Sequence, residues 1–130
     1  MPRKPSNTFT DKELEIMQVV WNRGEATARE IQTELSGDRH YNSVMTIIRV
    51  LEKKGHLAHR EDGKTYIYRA TETQEKAQKN VLGYLINQVF GGSAASLVLN
   101  LVETGDLSKK DLDEIRRRLG KTDEKMGGAK

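Results

Sequence analysis

The chain has 130 residues, of which 35% are hydrophobic and 32% charged, with a formal net charge of +3 and no cysteine. Its length allows one ordinary domain, or a small head with an appendage that needs a partner, and it excludes a large enzyme. The lack of cysteine excludes disulfides, thiolate metal sites and a cysteine nucleophile, and no apolar run approaches the roughly 20 residues of a membrane helix.

The first residues, 1–9, predict a flexible basic arm. They combine two prolines with Arg3 and Lys4 and contain little apolar side-chain surface. They also lack the apolar core of a secretory signal, so we expect a cytoplasmic protein with no segment inserted in a membrane.

Two helices are predicted after the arm. Each begins with a threonine followed three residues later by a glutamate, which is the spacing of a capping box: Thr10 with Glu13, and Thr27 with Glu30. The first should end at 22–24, and the second at 36–38, because both stretches contain a glycine between polar residues.

The third helix is predicted from Tyr41 to Lys54, with Gly55 as its left-handed cap. Its apolar residues recur at the spacing of one helical face: Val44, Ile47, Ile48 and Leu51. The opposite face collects polar and basic residues and no acid: Asn42, Thr46, Arg49 and Lys53.

Two alternating runs follow, 56–60 and 64–69, joined through an Asp-Gly pair that is typical of a hairpin turn. We expect Leu57, Tyr66 and Tyr68 to form the buried face of this hairpin. Three helices followed by a hairpin is the order of a winged helix-turn-helix domain, which we place at residues 10–72.

In that fold the third helix enters the major groove of DNA and the hairpin, or wing, reaches the flanking backbone. The side-chain types suit base reading by Asn42, Ser43, Thr46 and Arg49. Phosphate contacts are predicted for basic residues at the helix end and the wing tip: Lys53, Arg60 and Lys64. Seven Lys and Arg residues against three acids lie between Arg39 and Arg69, which favours an acidic partner such as double-stranded DNA.

Residues 73–120 are predicted to form a helical dimerisation domain, called the tail below, with candidate helices at 75–90, 93–103 and 108–119. Residues 121–130 are predicted to be frayed. Too many of its residues are apolar for one face of short helices, and a second chain would bury them. The candidate dimerisation residues are Leu82, Leu85, Ile86, Val89, Phe90, Leu97, Val98, Leu101 and Val102.

Catalysis and cofactor binding have no support in the sequence. There is no glycine-rich phosphate loop and no serine nucleophile within a supporting motif. His40, His56 and His59 have no cysteine or paired acid to complete a metal site. The fold class expected is therefore mainly α with a small β-hairpin, without a metal, a cofactor or an enzymatic activity.

Three segments resemble the penicillinase and methicillin-resistance repressor family: the run Asn42–Gly55, the opening Glu13–Trp21 and, most specifically, GGSAASLVLNLVE at 91–103. The resemblance extends from Thr10 to Leu119. It implies a homodimeric repressor that occupies a pseudo-palindromic operator until a membrane-bound sensor protease detects a beta-lactam and cuts the repressor within its tail.

The same resemblance implies a cleavage site. In the beta-lactam-responsive members the cut follows the asparagine of a Ser-Leu-Val-Leu-Asn run, which here makes Asn100–Leu101 the candidate bond. The family usually has phenylalanine at the position of Leu101. The residues leave two other functions open: a winged-helix regulator that senses a small ligand without cleavage, and a winged-helix protein-interaction module with no DNA target.

Overall fold

The computed structural model describes residues 8–125, with side chains through Lys121, so Arg3 and Lys4 of the predicted arm lie outside the described residues. The chain is mainly helical, with one three-stranded antiparallel sheet. In chain order the elements are α1 (Asp11–Arg23), β1 (Glu25–Thr27), α2 (Ala28–Glu34), α3 (Tyr41–Lys54), β2 (Leu57–Asp62), β3 (Thr65–Ala70), α4 (Gln74–Gln88), α5 (Ala94–Glu103) and α6 (Lys109–Lys125).

The predicted capping boxes are confirmed at the starts of α1 and α2. The Thr10 hydroxyl accepts the Glu13 amide at 3.2 Å, and the Glu13 carboxylate accepts the Thr10 amide at 2.8 Å. Thr27 and Glu30 form the same reciprocal pair. Two of the orphan amide groups at each helix start are thereby satisfied, which fixes where the helix begins.

The core lies between α1, α2, α3 and the sheet. Each helix contributes an apolar stripe to it, as its periodicity predicts. Its most deeply buried side chains include Ile16, Met17, Val20, Ile31, Val44, Ile48 and Leu51. Gly55 adopts the predicted left-handed conformation, with φ of 94°, and ends α3 so that the chain turns directly into β2.

The sheet has the strand order β1-β3-β2. β1 is an element that the sequence pattern did not predict, and its three residues pair with β3 from Glu25↔Arg69 to Thr27↔Ile67. The wing hairpin is confirmed, but its turn lies one residue later than the Asp-Gly signal placed it. Asp62 pairs with Thr65, so the loop is Gly63-Lys64, and Gly63 supplies the positive φ of 66°.

The buried face of the hairpin is shorter than predicted. Leu57 and Tyr68 are buried, whereas Tyr66 is 45% exposed, so the expectation that Tyr66 contributes to the core is wrong. Tyr66 lies on the same face of β3 as Tyr68 but nearer the turn, outside the buried core. It stacks on the His59 ring instead, with ring centroids 4.2 Å apart.

The described part of the chain divides into two compact units between Tyr84 and Leu85, within α4. In the second unit, α5 has no buried residue, and α6 continues to Lys125, beyond its predicted end at 119. No helix in residues 8–125 is both long and apolar enough to cross a membrane.

Candidate nucleic-acid interface

The outer face of α3 carries the predicted base-reading residues. Asn42, Ser43, Thr46 and Arg49 are all exposed, while Val44, Ile48 and Leu51 fix the opposite face in the core. The Thr46 hydroxyl donates to the Asn42 carbonyl at 2.9 Å, and its oxygen can still accept a hydrogen bond from a base. Lys53 extends this exposed surface towards the end of the helix. The structure therefore brings the α3 candidates together on one solvent-facing surface.

Carboxylates neutralise several cations of the head, residues 10–72, that lie away from the outer face of α3. Arg23 pairs with Glu30 and Glu34, Arg39 with Glu15, and Lys54 with Glu13. Arg49, Lys53 and Lys64 form no ion pair with any described residue. An unpaired cation can bind an external phosphate without breaking an internal contact. These three cations of α3 and the wing are therefore available to a phosphate.

Arg60 differs from the other predicted phosphate contacts because it already has a partner. Its Nε and one terminal nitrogen donate to the two carboxylate oxygens of Glu25, each at 3.1 Å. The hydrogen bonds with Arg60 lower the pKa of Glu25, and those with Glu25 raise the pKa of Arg60. Lys64, in the turn itself, is the predicted wing residue whose charge is unpaired among the described residues.

The wing is fastened to α3 by side chains that sequence analysis did not use. His59 of β2 contacts the Glu52 carboxylate of α3 through its Nδ1 atom, and its ring stacks on Tyr66 at an interplanar angle of 12°. These contacts join the hairpin to α3. The only signal in the sequence was that one predicted strand contains His59 and the other contains Tyr66 and Tyr68.

Arg29 of α2 is a further cation that sequence analysis missed. Its guanidinium carbon lies 4.2 Å from the centre of the Tyr41 ring, at the start of α3. Stacking of this kind orients a guanidinium while leaving its N–H groups free to donate. Arg29 forms no ion pair with a described residue. An arginine on a short helix immediately before the recognition helix was the available signal.

The predicted dimerisation residues of α4 and α5 remain partly or largely exposed in the single chain. The exposed fraction reaches 66% for Val89, and Val98 and Val102 are each 41% exposed. Leu85, Ile86, Phe90, Leu97 and Leu101 are only half-buried, and Leu82 is exposed. Asn100 and Leu101 lie inside α5, where the Asn100 side chain donates to the Ser96 carbonyl at 2.9 Å.

The chain is similar to known repressors over most of its length. The family model described as penicillinase repressor matches residues 9–121. The methicillin resistance regulatory protein MecI of Mammaliicoccus sciuri is 32% identical over 87% of this chain and 94% of its own. The penicillinase repressor of Bacillus licheniformis is 28% identical over 82% of this chain and 85% of its own.

A solved structure supports the fold. The chain matches a transcriptional regulator of Thermotoga maritima with a TM-score of 0.51 and 20% identity, over 90% of this chain and 75% of that one. The family model and the MecI similarity both cover far more than half of the sequence. This chain therefore belongs to the penicillinase repressor family of transcriptional regulators.

Proposed function

We propose that the protein is a cytoplasmic, dimeric repressor that occupies a pseudo-palindromic operator and reads its bases with the exposed face of α3. The observation that carries this proposal is the acid-free outer face of α3, which lies opposite the buried residues Val44, Ile48 and Leu51. Arg49 and Asn42 are side chains that can form paired hydrogen bonds with guanine and adenine edges. Lys53 and Lys64 contact phosphates on either side of the base-reading residues.

Dimerisation through the tail follows from the apolar surface that one chain leaves uncovered. α5 has no buried residue although most of its side chains are apolar. A two-fold pair of tails would cover these side chains and present two recognition helices to the two half-sites. Binding of the first head then raises the effective concentration of the second at its half-site, so the dimer binds far more tightly than a separate head.

Inactivation is proposed to occur by cleavage of the Asn100–Leu101 bond, through a membrane-bound sensor protease that responds to beta-lactams. Both residues lie within α5, and their carbonyl groups accept the amides of Thr104 and Asp106, each at 3.0 Å. A protease needs an extended segment, so α5 must open locally before the bond is cut. Cleavage would separate the two parts of the apolar segment that pairs the chains, and DNA would be released.

Cleavage is tested by exposing the protein to membranes that contain the sensor protease, with and without a beta-lactam, and measuring fragment masses. We expect a cut after Asn100 only when the drug is present, and the variant Asn100→Asp should be cut more slowly. An intact chain under all conditions would contradict this part of the proposal and leave DNA binding unaffected.

DNA binding is tested by a footprint on the DNA upstream of the protein's own gene, at two salt concentrations, with wild type and Arg49→Ala. Loss of one base contact should cost about 1–3 kcal/mol of operator affinity, so we expect a symmetric protected site that Arg49→Ala loses. Arg69→Ala is the control, because it removes the same charge from an exposed position of β3. A wild-type protein that protects no DNA at low salt would contradict the proposal.

A further inference from the structure

An open groove of about 610 Å³ lies between α2, α3 and the wing. Its walls include Arg29 of α2, Tyr41 and Met45 of α3, and Lys64 and Tyr66 of the wing. The strand pairing explains why these elements meet. β1 pairs with β3 up to Thr27↔Ile67, so α2, which begins at the next residue, starts beside the outer half of β3.

The groove has the chemistry of an anion site. Arg29 and Lys64 lie on different walls, and neither forms an ion pair with a described residue. Tyr41 holds the Arg29 guanidinium by stacking, so the planar fork of donors is already oriented. Three other arginines of residues 10–72 are held by carboxylates: Arg23 by Glu30 and Glu34, Arg39 by Glu15, and Arg60 by Glu25. Arg29 and Lys64 differ from these three arginines because they line one groove and have no carboxylate partner among the described residues.

We propose that this groove binds one sugar-phosphate strand of duplex DNA, with Arg29 and Lys64 contacting its phosphates from opposite sides. The inference rests on the proposed function, because it takes α3 to occupy the major groove. When α3 lies in the major groove and the wing flanks it, the backbone strand that bounds the major groove must pass between the two elements. The groove lies between these elements, and α2 forms its third wall.

The two cations then have distinct tasks. Arg29 offers a flat fork that suits two oxygens of one phosphate, whereas Lys64 is a point charge on a flexible stem. A phosphate contact carries no base information, so Arg29 sets the position of α3 and adds affinity for any sequence. Sequence preference remains with Asn42, Ser43, Thr46 and Arg49.

The test measures affinity for a random-sequence duplex by fluorescence anisotropy over a series of salt concentrations. Each lost phosphate contact should reduce the slope of log K against log salt by about 0.9. We expect that reduction for Arg29→Ala and for Arg29→Gln, which retains a long polar side chain. Arg69→Ala, the charge-matched control on β3, should leave the slope unchanged.

The outcomes separate this inference from the proposed function. If wild type binds the duplex and the Arg29 variants have the same slope as Arg69→Ala, the groove proposal is overturned and α3 recognition stands. If wild type shows no salt-dependent binding to duplex DNA, the proposed function itself fails. Fluorescence of Trp21, the single tryptophan of the chain, verifies that each variant is folded.

Discussion

At the residue scale, the pairing state of each cation decides what it can contribute to binding. The sequence predicted Arg60 and Lys64 equally as phosphate contacts, because both are basic and flank the predicted turn. The Glu25 partner of Arg60 lies 35 residues away along the chain, on a strand too short to be recognised. Pairing over that distance depends on tertiary structure and has no local signal.

Lys64→Ala should therefore weaken DNA binding more than Arg60→Ala does. Lys64 loses a phosphate contact outright, so we expect the salt slope to fall by about 0.9. Arg60→Ala removes a cation that Glu25 already neutralises in part, and it frees a carboxylate. The measurement is the salt dependence of the dissociation constant for both variants on one duplex. Equal changes of slope would show that the Arg60–Glu25 ion pair breaks when the protein binds DNA.

The buried His56 should make stability depend on pH. Its side chain is 1% exposed and lies against Phe9, with ring centroids 4.1 Å apart. Burial has the largest effect and lowers the pKa of His56; Glu72 has the next largest effect and raises it, Lys54 lowers it, and Glu13 and a hydrogen bond with the Thr8 backbone raise it, so that the net shift is downward. In the unfolded chain the histidine pKa is about 6.5, so the unfolded state takes up the proton first as pH falls.

We expect the free energy of unfolding to decrease as pH is lowered from about 6.5 towards the depressed pKa of His56. Urea denaturation followed by Trp21 fluorescence at several pH values measures this effect. His56→Leu should remove that part of the pH dependence, whereas the exposed histidine variant His40→Leu should retain it. An unchanged pH profile in His56→Leu would assign the effect to other groups.

At the scale of elements, sequence patterns identified what is determined locally. The two capping boxes, the glycine cap of α3 and the glycine break before α5 all depend on neighbours within a few residues, and all are present. β1 was missed because three residues are too few to show alternation. The wing turn was displaced by one residue because Asp-Gly serves here as the last strand residue and the first loop residue.

The capping box of α1 offers a direct measure of local stabilisation. Thr10→Ala removes the hydroxyl that accepts the Glu13 amide, and we expect a loss of about 1 kcal/mol in the free energy of unfolding. Thr10→Ser retains the acceptor and should cost much less. Chemical denaturation of the three proteins is the measurement, and similar losses for both variants would indicate that the threonine methyl group matters instead.

At the scale of the whole molecule, the fold class, the position of α3 and the apolar character of residues 81–102 were predictable, because each depends on a pattern of apolar residues in the sequence. The groove between α2, α3 and the wing was not predictable from the sequence. Arg29 and Lys64 are 35 positions apart and become neighbours only when β1 pairs with β3. Assembly of the tail into a dimer stays a prediction.

The double variant Val98→Asp/Val102→Asp tests that assembly. Both side chains are exposed in the single chain and would be covered in the proposed dimer, where buried unpaired carboxylates are strongly unfavourable. Sedimentation should give twice 14.7 kDa for wild type and 14.7 kDa for the variant. Asn87→Asp, which adds a charge at an exposed polar position of α4, should remain dimeric. A wild-type monomer would contradict the dimer.

The sorting of ion pairs in the head also has a kinetic consequence. Carboxylates neutralise Arg23, Arg39 and Lys54, whereas Arg49, Lys53 and Lys64 form no ion pair with a described residue. We therefore expect the electrostatic potential of the head to be more positive on the side that carries these three cations. An uneven potential of this kind orients a diffusing protein before contact, so that more encounters with DNA begin at the surface of α3 and the wing. Target search along a chromosome would then be fast in dilute salt and slow steeply as ions screen the approach.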